Sequence, residues 1–216
     1  MHLDQTINDR VGNDVHVQTR EERKASEIID ADNWIEVRLL GKLPERRSNH
    51  CAFITTLRNE EYLYVHGGRD LKEGSIASMW RLNLSKIHMM MEMNDNEANF
   101  EWETVQTTGK GPGRISHHTA SVMPSKEVIM YGGLKGEDSN HEIFQFNPST
   151  SSWLNVTFSN ASQQVLPRDD HVMSDLSESS FLVFGGFVNG SRVNELCRFT
   201  VPSNQTIEGS ICETQQ

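Results

Sequence analysis

The chain has 216 residues, 36% hydrophobic and 23% charged, with a net charge of −10. This is the profile of one folded domain, with room for tails, and the acidic balance argues against nucleic acid or an anionic membrane as partner. No apolar run approaches the length that spans a bilayer, and Met1-His2-Leu3-Asp4-Gln5 does not open a secretion signal. Three widely spaced cysteines, Cys51, Cys197 and Cys212, read as reduced thiols of a cytoplasmic protein, not as a disulfide framework.

Residues 1–33 lack a strand pattern and read as an N-terminal tail. Thr19 with Glu22 suggests a capping box, and Ala25, Ile28 and Ile29 share a helical face, so one short helix is expected near 20–31.

From Trp34 a repeat begins. Trp34-Ile35-Glu36-Val37, Trp102-Glu103-Thr104-Val105 and Trp153-Leu154-Asn155-Val156 alternate as half-buried strands do. Each is followed by a Gly/Pro turn and an Arg-x-x-His step: Arg47 to His50, Arg114 to His117 and Arg168 to His171. Next comes an apolar run ending on a glycine doublet. The three runs are Leu63-Tyr64-Val65-His66 before Gly67-Gly68, Val128-Ile129-Met130-Tyr131 before Gly132-Gly133, and Phe181-Leu182-Val183-Phe184 before Gly185-Gly186. Such runs suit strands buried on both faces, and paired glycines let the chain turn without a Cβ clash. A polar loop then leads to a third strand: Met79-Trp80-Arg81-Leu82, Ile143-Phe144-Gln145-Phe146 and Leu196-Cys197-Arg198-Phe199. The doublets recur after 65 and 53 residues and the arginines after 67 and 54, which places one insertion in the first unit, over Ser85–Phe100.

A period near 50 with four strands per unit resembles the kelch repeat of β-propellers, over residues 34 to about 201. The resemblance implies an all-β fold of three kelch-like, four-stranded antiparallel blades spanning 34–203, a partial β-propeller with 204–216 as a C-terminal tail. Three blades are fewer than a closed propeller uses, so an open arc is expected. Self-association through its open blade faces is a further expectation, with an incomplete fragment of a longer propeller as the alternative. Arg47, Arg114 and Arg168, the six glycines and Trp34, Trp102 and Trp153 are assigned to the architecture of the repeat.

Sites of chemistry are few. His50, His117, His118 and His171 are weighed as an axial metal cluster and set aside, since neither cysteine nor carboxylate accompanies them at matching spacing. His88-Met89-Met90-Met91-Glu92-Met93 is read as an adaptable apolar patch in preference to a copper ligand set. Gly109-Lys110-Gly111-Pro112-Gly113 lacks the ending of a phosphate loop. No nucleophile or metalloprotease motif occurs, and Tyr62, Tyr64 and Tyr131 all fall inside second strands. No catalytic residue, metal or cofactor is assigned. The loops after the doublets differ between units, as binding loops on a repeated scaffold do. Arg69, Asp70, Lys72, Lys135, Glu137, Asp138, Asn189 and Arg192 are therefore the expected protein-binding residues. The resemblance implies a non-catalytic interaction scaffold whose partner is cytoskeletal or ubiquitin-ligase related, with a kelch-like oxidase or sugar epimerase as the rival.

Overall fold

The computed structural model describes residues 37–93, 99–158, 166–201, 206–207 and 210–214. The expected N-terminal helix and the Trp34 strand lie outside these residues. All the elements below belong to the compact unit Arg38–Gln216.

Three sheets carry the fold, each built on four antiparallel strands, the second with a short parallel fifth. The first holds β1 (Cys51–Leu57), β2 (Glu60–His66), β3 (Met79–Asn83) and β4 (Glu103–Thr104), paired in that order. A helix, α1 (Leu84–Glu92), separates β3 from β4. The second holds β5 (Thr119–Val122), β6 (Val128–Tyr131), β7 (Ile143–Asn147) and β8 (Ser152–Phe158). The third holds β9 (Val172–Ser177), β10 (Ser180–Phe184), β11 (Glu195–Thr200) and β12 (Ser210–Thr214). The glycine doublets close the second strand of each sheet, as the sequence implies.

Two expectations about the elements need correction. The segment read as a C-terminal tail is structured: β12 completes the third sheet, and Thr206–Ile207 runs parallel to the end of β8. Without a tryptophan or an alternating pattern, the sequence gives this edge strand no mark. The first-unit insertion is helical at its start. Asn83 caps α1 by accepting from the Lys86 N–H at 2.9 Å, and Ile87 is buried while Met89 and Met91 stay exposed.

Apolar residues fill the two spaces between sheets. Between the first and second lie Phe53, Tyr62, Tyr64 and Met79 against Val128, Met130, Phe144, Phe146 and Trp153. Ile129, Tyr131, Ile143 and Val156 meet Phe181, Val183, Cys197 and Phe199 between the second and third. Both faces of β6 are thus buried, which explains its unbroken apolar run. The third sheet differs on its far side: Val172, Phe184 and Leu196 form a cross-strand row that is largely exposed. Cys51 is a free buried thiol, but Cys197 is disulfide-bonded, contrary to the expected reduced state.

Candidate functional site

The joints between sheets repeat bond for bond. The Gly68 N–H donates to the Ile115 carbonyl at 2.9 Å, and that of Gly133 to the Arg168 carbonyl at 2.7 Å. At the entry to the first strands, the His117 N–H donates to the Asn49 carbonyl at 2.9 Å and the Asp170 N–H to the His117 carbonyl at 3.1 Å. Asn49, His117 and Asp170 all have positive φ, near 52–59°, and each precedes the histidine that packs under a doublet. Those histidines are His50, His118 and His171.

This alignment shifts the repeat by one residue in the second unit. Arg47 and Arg168 lie three residues before their histidines, but the corresponding residue before His118 is Ile115, not Arg114. Arg47 donates to the Gly67 carbonyl at 2.8 Å, and Arg168 to the Gly185 carbonyl at 2.6 Å and to Glu195 at 2.6 Å. Arg114 is exposed and bonds the Ser75 carbonyl of the preceding unit. Buried Asn140 takes over in the second unit, its side-chain amide donating to the Gly132 carbonyl at 3.1 Å. Sequence reasoning missed Asn140; only the misfit of Arg114 with His118 would have exposed it.

Close approach explains the doublets. A Cβ on Gly67 would stand 2.6 Å from the Ile115 carbonyl oxygen, and one on Gly133 would stand 2.5 Å from that of Ser116. Trp153 is buried, 5.4 Å from the His66 ring across the first joint, whereas Trp102 is half-buried beside β4.

Three short hairpins follow the doublets, Arg69–Asp70 with Gly74–Ser75, Leu134–Lys135 with Asp138–Ser139, and Phe187–Val188 with Ser191–Arg192. Each is tied to the segment that enters the first strand of its own sheet, by Ser48–Arg69, Ser116–Leu134 and Asp169–Phe187 bridges. They therefore stand at the same end of their sheets and bring the eight expected binding residues to equivalent places. Not all eight are available to the same degree. The Asp70 carboxylate accepts the Lys72 and Glu73 N–H groups and shapes its own turn, which holds its pKa below the usual value. Lys135 pairs with Glu142, and the Arg192 guanidinium stacks on Phe187 at 5.0 Å. Arg69, Lys72, Glu137, Asp138 and Asn189 are exposed. Between Asp70 and Lys72 stands Leu71, 98% exposed, an apolar tip that the charge-based reading passed over.

The tyrosines considered for chemistry are buried. Tyr131 donates to the Leu166 carbonyl at 2.7 Å, and burial pushes its pKa up to about 12.

Comparison with known proteins agrees with this architecture. The family model described as "KLHDC2/KLHL20/DRC7 Kelch-repeats domain" matches residues 8–208. This chain belongs to that kelch-repeat family. Among curated proteins it is 28% identical over 149 residues to Tip elongation aberrant protein 3 of Schizosaccharomyces pombe, across 65% of this chain and 12% of that protein. It is 23% identical over 165 residues to the flagellar outer arm dynein alpha chain of Chlamydomonas reinhardtii, across 76% of this chain and 3% of that one. The chain thus spans a small part of each relative. Membership supports an interaction scaffold in general terms, since kelch domains of this family commonly bind protein partners. Among the described residues no helix is long and apolar enough to cross a membrane.

Proposed function

We propose that this kelch-repeat chain is a non-catalytic scaffold that presents its three doublet hairpins to a partner protein. The observation that carries the reading is a contrast within each unit. Backbone bonds beneath the hairpins repeat, while the hairpin tips vary from a charged, leucine-tipped loop to an acidic one and then to an Asn-Gly turn. A fixed base with variable tips is how a repeat scaffold separates stability from recognition. Leu71, between Asp70 and Lys72, is the candidate anchor, because covering its exposed side chain would remove apolar surface from water. The relatives' names, one of tip elongation and one of a flagellar dynein arm, favour a cytoskeletal partner over a ubiquitin-ligase one. The test is a pull-down with the intact chain against a variant carrying Arg69→Glu, Leu71→Asp, Lys72→Glu and Glu137→Lys. Recovery of the wild-type partners is expected to fall at least about tenfold, with an unchanged thermal melt. Equal recovery by both proteins would refute the binding face.

A second surface has its own evidence. Phe184 occupies in the third sheet the position of His66 and Tyr131, yet it is 49% exposed against 2% for each of them. Val172 and Leu196 repeat the contrast with Cys51 and Met79. This face is built as the others are, to receive a further blade, and we infer that a second copy of the chain can supply that cover. Light scattering is expected to show concentration-dependent association that Phe184→Asp abolishes; a wild-type chain that stays monomeric at every concentration would overturn this reading.

A further inference from the structure

The two joints between sheets share a backbone plan but differ in chemistry at three equivalent positions. At the second joint these positions hold Thr119, Tyr131 and His171. There the Thr119 hydroxyl lies 2.6 Å from His171 Nε2, and the tyrosine ring packs 4.9 Å from the imidazole. At this joint an ordinary hydrogen bond takes His171 Nε2 and an aromatic ring covers the imidazole, while its Nδ1 is buried without a hydrogen-bond partner. At the first joint the same positions hold Cys51, His66 and His118. Cys51 stands opposite His66 in the β1–β2 register, and His66 Nδ1 lies 3.0 Å from His118 Nε2. The thiol and the two imidazoles bring their donor atoms within 4.8 Å of one another, and all three residues are buried. Met79 is the cross-strand neighbour of His66 on β3 and belongs to the same apolar cluster.

We propose that Cys51, His66 and His118 form a site for a single Cu(I) ion, with Met79 beside it. A thiolate and two imidazoles are a donor set that soft monovalent copper accepts in trigonal geometry, and a thioether suits a weak fourth place. Two imidazole nitrogens held about 2 Å from one trigonal ion stand roughly 3.5 Å apart, so the 3.0 Å between His66 Nδ1 and His118 Nε2 needs to open only slightly.

Charge selects the ion. One thiolate, two neutral imidazoles and Cu(I) sum to zero, whereas a divalent ion would leave a net positive charge in an apolar joint. The positive field of Arg47 already reaches His66 and would add to that cost. On binding, the Cys51 thiol loses its proton to solvent as the copper–sulfur bond forms, and the copper stays Cu(I) throughout.

The joint supplies its own control. Cys51→Thr with His66→Tyr rebuilds the second joint's residues at the first and keeps a combination that the fold already accommodates. The full chain, stripped of metal, would be titrated anaerobically with Cu(I) held by a chromophoric chelator, and in parallel with Zn(II). The wild type is expected to take one Cu(I) per chain, with one sulfur and two nitrogen neighbours by X-ray absorption. The double variant is expected to bind at least about tenfold more weakly with its thermal melt retained. Met89→Leu/Met91→Leu is expected to bind like wild type, which separates the joint from the exposed methionines of α1. Failure to take Cu(I) from the chelator, or equal uptake by the double variant, would overturn the site. Uptake of Zn(II) in preference to Cu(I) would overturn the choice of ion.

Discussion

Ile115 shows how much one position of a repeat can change when a neighbour compensates. Arg47 and Arg168 each satisfy the carbonyl of the first glycine of their doublet, a group enclosed by the joint. With isoleucine there, the Gly132 carbonyl would be left without that donor, and Asn140 provides one from the third-strand side. A buried carbonyl deprived of its donor costs roughly 1–3 kcal/mol, whereas an exposed side-chain bond is worth a fraction of that. Asn140→Ala is therefore expected to lower stability by about 1–3 kcal/mol, and Arg114→Ala by less than about 0.5 kcal/mol. Denaturant unfolding of the two variants checks this. Equal losses, or a larger loss from Arg114, would restore Arg114 to the architectural role the spacing first suggests.

At the level of strands and loops, legibility in the sequence follows burial. Second strands such as Val128–Tyr131 are buried on both faces, so their apolar run and closing glycines announce them. The edge strand β12 is bonded on one side and carries no such pattern, so Ser210–Thr214 reads as tail although it completes a sheet. Helix α1 escapes for another reason. Its stripe is thin, with Ile87 alone buried, and its methionines suit a helix and an adaptable loop equally. The candidate binding residues were legible as a set, because a loop follows every doublet, but their individual states were not. Whether Asp70 folds onto its own turn or Lys135 finds Glu142 depends on hairpin geometry that spacing does not encode. The pairing of Cys51 with His66 and His118 is hidden still more deeply. The first two meet through strand register and the third arrives from another sheet, so no linear spacing joins them.

Taken as a whole, the molecule is held together across joints that each bury neutral histidine. His66 is pushed well below its ordinary value by burial, then by His118 and Arg47. His118 falls to about 3 through burial, with His50 and His117 adding to it, and His171 to about 3 through burial, Arg168 and His118. In the unfolded chain these imidazoles return to about 6.5. Between the two values the unfolded state binds more protons than the folded one, so stability rises with pH in that window. The stabilisation is complete above about pH 7, is lost as pH falls below about 6.5, and goes on falling towards 3. Each histidine contributes at most about 1.4 kcal/mol per pH unit, so all three together approach roughly 4 kcal/mol per unit. Denaturant unfolding between pH 7 and 5, in the presence of a metal chelator, isolates this effect from carboxylates, which ordinarily titrate near 4. His66→Tyr, which installs the second joint's residue, is expected to remove about a third of the slope, and His171→Gln a similar share. A wild-type stability that does not change across that range would mean that these rings accept protons without parting the sheets, and that the joints do not depend on their neutrality.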